Sequence, residues 1–369
     1  MRDFHVTYDA LAEWVAGGAS SGCPTIFSGG GGDPILALRQ ASPSAALWRD
    51  RASYPDRLLF HTPEWLAFVA SAQGALPVLA TVHDDGEEVG HFTGLVTKRF
   101  GLRILGSPMA GWTTSYMGFN LRPGVSRRDA LAALLPFAFG SLRCAHLEIR
   151  DRSFAASDLE GFGFRWDAAP TAVISLAPAE DQLFGAMAPA CRRNIRKAQK
   201  SGVVIEEVHD DPSFAAEFYD QLRDVFAKQN LVPTYSIDRV RALIRNLEPA
   251  GRVLLLRARE PGGRCIATAV LPWYHRTMYF WGGASYRPDQ HFRPNEALIW
   301  HALRWARERG VTEFDFVGGN SYKQKYGTSE VPVPWARRSR SPLVAGLRDA
   351  AKEAFALRQR AMARLTRAS

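Results

Sequence analysis

The sequence lacks the features that mark several large classes of protein. Its four cysteines, Cys23, Cys144, Cys191 and Cys265, lie far apart and form no CxxC pair, which argues against a zinc site or a disulfide framework. No apolar run approaches the roughly 18 residues that a membrane span needs. The first residues also lack the basic and apolar regions of a secretory signal. We therefore expect a cytoplasmic protein with reduced thiols and no metal.

Most of the chain also carries little net charge. The net charge is +9 over 369 residues, but residues 337–369 hold nine Lys and Arg against Asp349 and Glu353, so the other 336 residues carry only +2. A nearly neutral body without a known nucleic-acid-binding motif does not favour a nucleic-acid-binding module. With 46% hydrophobic and 22% charged residues, the chain has the composition of a folded protein of two domains or one large one.

The order of predicted elements occurs twice along the chain. Helix, strand, turn, strand, strand, loop, helix and strand follow one another across residues 62–150 and again across 236–319. Thr62, Pro63 and Glu64 have the pattern of an N-cap, an N1 proline and a first-turn acid. The long helix of the second copy is predicted from Pro294 to the residue before Gly310. Antiparallel strands with one crossover helix per copy predict a duplicated α+β domain.

A basic helix is predicted between the two copies, over residues 184–200. Apolar residues recur there at helical spacing, Pro189 marks a new start and Gly202 a stop. One face carries five cations and no acid: Arg192, Arg193, Arg196, Lys197 and Lys200. Two interpretations stay open, a solvated helix face or a patch that faces phosphate, because like charges repel one another unless an anion is near.

Six short motifs occur in a defined order. They are FHTPEWL at 60–66, RNIRKA at 193–198, GASY at 283–286, RPNEALIW at 293–300, FDFVGG at 314–319 and YKQKYG at 322–327. As an ordered set they resemble the FemAB-like branch of the GNAT acetyltransferase superfamily, which includes cellulose-biosynthesis-type acetyltransferases. The resemblance implies two tandem GNAT-like lobes, each a mostly antiparallel mixed sheet flanked by helices. We expect an N-terminal extension at 1–57, lobes at 58–165 and 166–335, and a basic C-terminal helix at 336–369.

The resemblance also implies an N- or O-acyltransferase. Proteins of this branch transfer amino acids from aminoacyl-tRNA to a peptidoglycan precursor, or acyl groups to cellulose, exopolysaccharide and other envelope polymers. The implied acceptor is an amine or hydroxyl of a cell-envelope or exopolysaccharide precursor, and the donor is acyl-CoA or aminoacyl-tRNA. No charged coiled-coil insertion is present, which disfavours tRNA, whereas the loop at 286–293 lacks the glycines that hold coenzyme A in ordinary GNAT enzymes. A catalytically degenerate scaffold that binds membranes or precursors is the alternative from a different class.

Acyl transfer requires a proton acceptor, an oxyanion stabiliser and neutralisation of charge on the leaving group. Asp315 alternates with Phe314 and Phe316 on a predicted strand, so it is either buried with a partner or faces a cleft. We favour the cleft and a role for Asp315 in accepting a proton or orienting the attacking group. The resemblance implies that Lys325 neutralises charge on the donor or the intermediate.

The start of the helix at Pro294 is a predicted binding site, because its free N–H groups and positive dipole end suit a phosphate or an oxyanion. The predicted phosphate-binding residues for the donor or acceptor are Arg293, Asn295, Glu296, Arg192, Arg193, Arg196 and Lys197. The predicted substrate-binding residues are Tyr286, His291, Gly318, Gly319 and Tyr322. No nucleophile-elbow motif accompanies a Ser-His-Asp set, so we do not expect a hydrolase.

The tail after Pro342 is predicted as a helix with apolar residues, among them Leu343 and Leu347, on one side and arginines on the other. One interpretation is a helix packed on the body with a solvated face. The other is an interfacial helix that brings the enzyme to anionic lipid at the inner face of the membrane. Attraction to RNA would use the same charges.

Overall fold

A computed structural model describes residues 36–41, 54–99, 101–227, 232–319, 321–350 and 353. The predicted N-terminal extension, apart from residues 36–41 and 54–57, and the predicted C-terminal helix beyond residue 350, apart from residue 353, lie outside the described residues. None of the helices in the described part of the chain combines the length and the apolar character needed to cross a bilayer.

The described residues form two compact units. Unit 1 comprises the described residues of Met1–Ala168 and of Val333–Ala350, and unit 2 comprises those of Ala169–Pro332 and of Ala351–Ser369. The domain limits expected from the sequence stay a prediction.

Unit 1 begins with six strands and three helices. The strands are β1 Leu36–Gln40, β2 Leu76–Asp84, β3 Glu87–Arg99, β4 Leu102–Ser107, β5 Gly118–Leu121 and β6 His146–Arg150. The helices are α1 Pro63–Gln73, α2 Arg127–Pro136 and α3 Ala156–Leu159.

The sheet of unit 1 has the strand order β1-β2-β3-β4-β6, and β5 pairs with β3. Strand β4 runs parallel to β6, in the register that pairs Leu105 with Leu147. The other pairs named here are antiparallel. A crossover through α2 is what allows β6 to return beside β4 in the same direction.

The start of α1 forms as its sequence predicts. The Thr62 hydroxyl accepts a hydrogen bond from the Trp65 N–H at 3.4 Å, and Pro63 occupies the first helical position, whose N–H would have no partner within the helix. The helix ends at Gly74, whose φ of 58° suits glycine. Trp65 and Phe68 from α1 are fully buried in the unit.

Unit 2 contains most of the remaining elements. Its helices are α4 Glu180–Ala186, α5 Pro189–Lys200, α6 Phe214–Ala227, α7 Ile237–Leu247, α8 Pro294–Glu308 and α9 Ser321–Gln324. The further strands are β7 Arg165–Ser175, β8 Val204–Val208, β9 Val253–Arg259, β10 Cys265–Tyr274, β11 Thr277–Tyr279, β12 Gly282–Ser285 and β13 Glu313–Asp315. Strand β14 Ser329–Ser339 belongs to unit 1 from Val333 onward, where it pairs antiparallel with β6.

The sheet of unit 2 has the order β7-β13-β11-β10-β9-β8, and β12 pairs with β10. Strands β11 and β13 are parallel, and the other pairs in this sheet are antiparallel. The core of the unit is apolar and includes Ile195 of α5, Leu298 of α8 and Phe314 of β13. Helices α5 and α8 therefore share one core with the sheet.

The pairing pattern repeats between the units. A short strand pairs antiparallel with the long central strand in each, β5 with β3 and β12 with β10. A crossover helix, α2 or α8, then leads to a strand that pairs in parallel, β6 with β4 and β13 with β11. The predicted duplicated α+β fold with mostly antiparallel mixed sheets is confirmed.

Candidate active site

The candidate site lies at the start of α8 in unit 2. Strand β10 pairs with β12 over Ala267–Val270 and with β11 only at Trp273 and Tyr274, so β11 and β12 occupy different stretches of the same strand. The chain then makes a 3₁₀ turn and reaches Arg293, which is left-handed with φ of 60° and provides no side-chain cap for α8. The first N–H groups of α8 therefore have no cap from Arg293, and such groups can bind a ligand.

Lys325 forms an ion pair with Glu296 in the first turn of α8. The Lys325 Nζ lies 2.7 Å from the Glu296 Oε1, and the Asn194 side-chain amide of α5 donates to the same oxygen at 3.0 Å. The Lys325 side chain is 25% exposed and that of Glu296 is 9% exposed. The carboxylate is thus held inside the unit, whereas part of the Lys325 side chain is exposed to solvent.

Two tyrosines complete the surroundings of Lys325. Its Nζ lies 4.0 Å from the ring centroid of Tyr322 and 5.0 Å from that of Tyr326, distances at which a cation is attracted to a ring face. The two hydroxyls are 3.2 Å apart. Tyr326 is buried and stacks on Phe316, whereas Tyr322 is 48% exposed. Tyr326 therefore forms the inner wall of the site and Tyr322 its outer edge.

The electrostatics of this cluster keep Lys325 charged. Burial by itself lowers the pKa of Lys325, but Tyr322 and the Glu296 carboxylate outweigh it, and the pKa stands above its ordinary value. A lysine that holds its proton so firmly suits stabilisation of negative charge better than donation of a proton. Nearby, burial raises the pKa of the Cys191 thiol to about 11. Cys191 is therefore a neutral buried thiol and not a nucleophile.

Asp315 is buried with partners, which is the alternative that we did not favour from the sequence. Its side chain is inaccessible to solvent, and its Oδ1 accepts hydrogen bonds from the Thr171 hydroxyl at 2.5 Å and the Val317 N–H at 2.6 Å. The expectation that Asp315 faces an open cleft is corrected by this burial. Its proposed part in catalysis stays a prediction.

The hydrogen bonds of Asp315 secure a strained turn. Val317 has φ of 58°, a left-handed conformation that is rare for a β-branched residue, and Gly318 follows with φ of 97°. The Gly318 N–H donates to the Thr171 hydroxyl at 2.9 Å. A second glycine, Gly319, has Pro170 so close that a Cβ would lie 3.1 Å from the proline Cγ. The two glycines thus allow the close turn that leads into the lysine-bearing segment.

Lys323 also secures this turn, and the sequence did not indicate it. Its Nζ donates to the carbonyls of Phe316, Val317 and Gly318 at 2.8, 3.3 and 2.7 Å. Burial lowers the pKa of Lys323. The residues next to Lys323 in the sequence do not indicate that three carbonyls contact it, because those carbonyls come together only once the turn has formed.

The other predicted residues near α8 shape the loop before the helix. The Asn295 side-chain amide donates to the Ser285 hydroxyl at 3.0 Å, and the Tyr286 hydroxyl donates to Asp220 of α6 at 2.7 Å. His291 is exposed, with its Nδ1 2.8 Å from the Pro288 carbonyl oxygen. Arg293 is exposed. Of these four residues, Arg293 brings a full positive charge to the start of α8.

The basic residues of α5 divide into two kinds. Arg192 donates to the Gly185 carbonyl at 2.5 Å, and the Arg196 guanidinium stacks 5.2 Å from the Phe184 ring centroid. Arg193 and Lys197 are exposed and form no ion pair within the described part of the chain. Lys200 is exposed as well. Of the five cations of the predicted patch, two thus have partners within the unit and three have none among the described residues.

A family model matches the segment that contains this cluster. Residues 188–326 match the model described as acetyltransferase (GNAT) domain. The segment begins just before α5 and ends at Tyr326, so it includes Asn194, Glu296 and Lys325. The segment that holds the candidate site is therefore similar to a GNAT acetyltransferase domain.

Three solved structures have a fold similar to that of this chain over most of its length. FemX is 17% identical with a TM-score of 0.67, and the match covers 81% of this chain and 96% of that one. L-PGS from Bacillus licheniformis is 14% identical with a TM-score of 0.50 and coverages of 82% and 95%. The tandem GNAT protein from the clavulanic acid biosynthesis pathway is 14% identical with a TM-score of 0.50 and coverages of 83% and 99%.

Identities of this size establish a shared fold and not a shared substrate. No curated protein sequence matches the chain. Residues 188–326 thus match a GNAT acetyltransferase domain, and the chain has a fold similar to that of FemX, as the resemblance predicts.

Proposed function

We propose that unit 2 transfers an acyl or aminoacyl group onto an amine or hydroxyl of a cell-envelope or exopolysaccharide precursor. The proposal rests on the partly exposed Lys325 ammonium, held by Glu296 at the uncapped start of α8 inside the GNAT-matched segment. The resemblance to FemAB-like proteins supports an envelope precursor as the acceptor.

In the proposed reaction the acceptor nitrogen or oxygen attacks the donor carbonyl carbon. The carbonyl oxygen becomes an oxyanion, and collapse of the intermediate expels the thiolate of coenzyme A or the ribose alkoxide of tRNA, which takes up the proton that the acceptor amine or hydroxyl loses. Lys325 and the first N–H groups of α8 stabilise the negative charge that develops. Asp315 acts in this proposal through the turn that precedes Lys325, because its Oδ1 is occupied by Thr171 and Val317.

The donor is one of two classes. A GNAT domain supports acyl-CoA, and the FemAB-like resemblance supports aminoacyl-tRNA. Both carry phosphates that the exposed Arg193, Lys197 and Arg293 can contact as point charges or forks. These three residues are therefore the proposed donor-binding cations, while Arg192 and Arg196 support the helix.

A thermal-shift series with the full chain tests the proposal. Its ligands are acetyl-CoA, longer acyl-CoAs, a UDP-linked sugar-peptide, and charged and uncharged tRNA. A ligand at ~100 times its Kd adds about 2.7 kcal/mol to the free energy of unfolding, which raises Tm by several degrees.

A shift with acyl-CoA identifies a coenzyme A-dependent enzyme, and a shift with charged tRNA alone identifies an aminoacyl donor. The donor found in this way is then incubated with the acceptor, and the product is detected by mass spectrometry. No shift with any donor would contradict the proposal and favour the scaffold alternative.

A further inference from the structure

The helix over residues 342–350 of unit 1, here called the tail helix, exposes two large apolar side chains. Leu343 is 81% exposed and Leu347 is 65% exposed, the highest values among the large hydrophobic residues that the structure describes. Residues four apart lie on the same face of a helix, so the two leucines form one patch. An exposed pair of leucines on a surface helix marks an interaction site when the helix itself is held in place.

The tail helix is held in place by Arg348 on another face. Its Nη2 lies 2.6 Å from the Glu148 Oε1, and the Glu148 side chain is only 3% exposed. His146 lies 3.3 Å from the same oxygen through its Nε2. Because Arg348 reaches a buried carboxylate within unit 1, the helix is anchored with its leucine pair directed to solvent.

The net charge of the residues that follow the tail helix indicates the kind of surface that the leucine pair contacts. Residues 351–369, of which only 353 lies within the described residues, contain five cations and one acid: Lys352, Arg358, Arg360, Arg364, Arg367 and Glu353. The 336 residues before position 337 carry only +2 in total. Two exposed apolar side chains, with a net charge of +4 in the sequence of residues 351–369, complement a surface that is apolar inside and anionic at its boundary.

We propose that the tail helix docks on an anionic lipid bilayer, with Leu343 and Leu347 inserted at the acyl boundary. The net charge of +4 in the sequence of residues 351–369 is the reason for proposing anionic lipid. A second copy of the chain fits less well, because two leucines are far from the roughly 800 Å² per partner of a stable protein interface. This inference is independent of the proposed function, since it needs no turnover.

Vesicle co-sedimentation of the full chain tests the proposal. The chain is expected to pellet with vesicles of phosphatidylglycerol and phosphatidylcholine, much less with phosphatidylcholine alone, and less at high salt because ions screen the attraction. Leu343→Asp and Leu347→Asp are each expected to lower the partition coefficient by ~10-fold. The matched control is Val232→Asp, because Val232 is 58% exposed outside any helix or strand of unit 2.

A gain of binding separates the proposal from misfolding. Leu343→Trp with Leu347→Trp is expected to raise the partition coefficient, since tryptophan favours the membrane interface and an unfolded variant would not gain specific binding.

Three results would overturn the proposal: equal binding to neutral vesicles, wild-type binding by both aspartate variants, or a dimer in solution that the aspartate variants dissociate. Retention on immobilised tRNA without vesicle binding would likewise assign the basic segment to RNA and overturn the lipid assignment.

Discussion

The starts of the two crossover helices differ although the units share one pattern of strands. In unit 1, α2 is capped by the Ser126 hydroxyl, which accepts from the Asp129 N–H at 3.2 Å. Its first residue, Arg127, ion-pairs with Asp56 and, at 2.8 Å, with Asp151, and is 13% exposed. In unit 2, α8 has no such cap and faces a lysine that solvent reaches. In unit 1 the side chains of the unit itself thus occupy the start of the crossover helix, whereas in unit 2 the start of this helix is available to a ligand.

A second difference concerns the strands that follow these helices. Glu148 is the third residue of β6 and Asp315 the third of β13, and both are buried. Glu148 meets His146 and Arg348, whereas Asp315 meets a hydroxyl and a backbone N–H. The same strand position therefore anchors the tail helix in unit 1 and a strained turn beside the candidate site in unit 2.

The largest effect on stability is expected from removing the arginine at the start of α2. Arg127→Met leaves Asp56 and Asp151 without their guanidinium, and loss of one partner from a buried ion pair costs about 3–5 kcal/mol. Urea unfolding at pH 7 should show this loss, and the loss should shrink as the pH falls, because burial raises the pKa of both carboxyls and protonation removes their unpaired charge. A change below ~1 kcal/mol would contradict the assignment of Arg127 as a structural residue.

The anchor of the tail helix should make stability depend on pH. Burial raises the pKa of Glu148, but His146 and Arg348 outweigh it and lower the pKa to about 2, against 4.5 for the free side chain. A carboxyl whose pKa is lower in the folded state stabilises the fold above its unfolded pKa. That stabilisation, roughly 3 kcal/mol, is lost as the pH falls from about 4.5 to about 2. Unfolding of Glu148→Gln should lack this slope, and an unchanged slope would contradict the pairing.

Removing the positive charge of Lys325 at the start of α8 should lower turnover more than it lowers stability. Lys325→Ala is expected to lower kcat by ~100-fold, the effect of losing one stabiliser of a developing oxyanion. Lys98→Ala, an exposed lysine at the end of β3 in unit 1, is the control and should keep wild-type turnover. If Lys325→Ala stays within ~twofold of wild type, Lys325 is not catalytic.

The smallest expected effect is at the residue before α8. Arg293→Gly removes a side chain from a left-handed position, where non-glycine residues cost about 1 kcal/mol. Tm should therefore rise slightly, while the affinity for the donor falls because a cation at the site is lost. A fall in Tm without any change in donor affinity would show that Arg293 serves the fold and not the ligand.

Local sequence patterns were sufficient to predict many of the helices and strands that the two units share. The helix starts at Thr62 and Pro294, the central hairpins and the crossover helices follow from capping residues and periodicity, which act over a few residues. Strands β7, β8 and β14 and helix α6 were not identified. Strand β8 illustrates the reason: it lies at a sheet edge, its Val204 is 61% exposed and two of its five residues are acidic, so it has little of the alternation that indicates a strand.

Motifs and element order were sufficient to predict the duplication and the short region that holds the candidate site, because both can be read from residues that are close together in the chain. The packing of distant elements brings the residues of that region together. Lys325 and Glu296 are 29 positions apart, and Arg348 and Glu148 are 200 apart. It also decided that Asp315 is buried and that Lys323 closes a turn. Such pairings depend on how helices and strands pack. They cannot be predicted from neighbouring residues, because the two partners are far apart in the sequence.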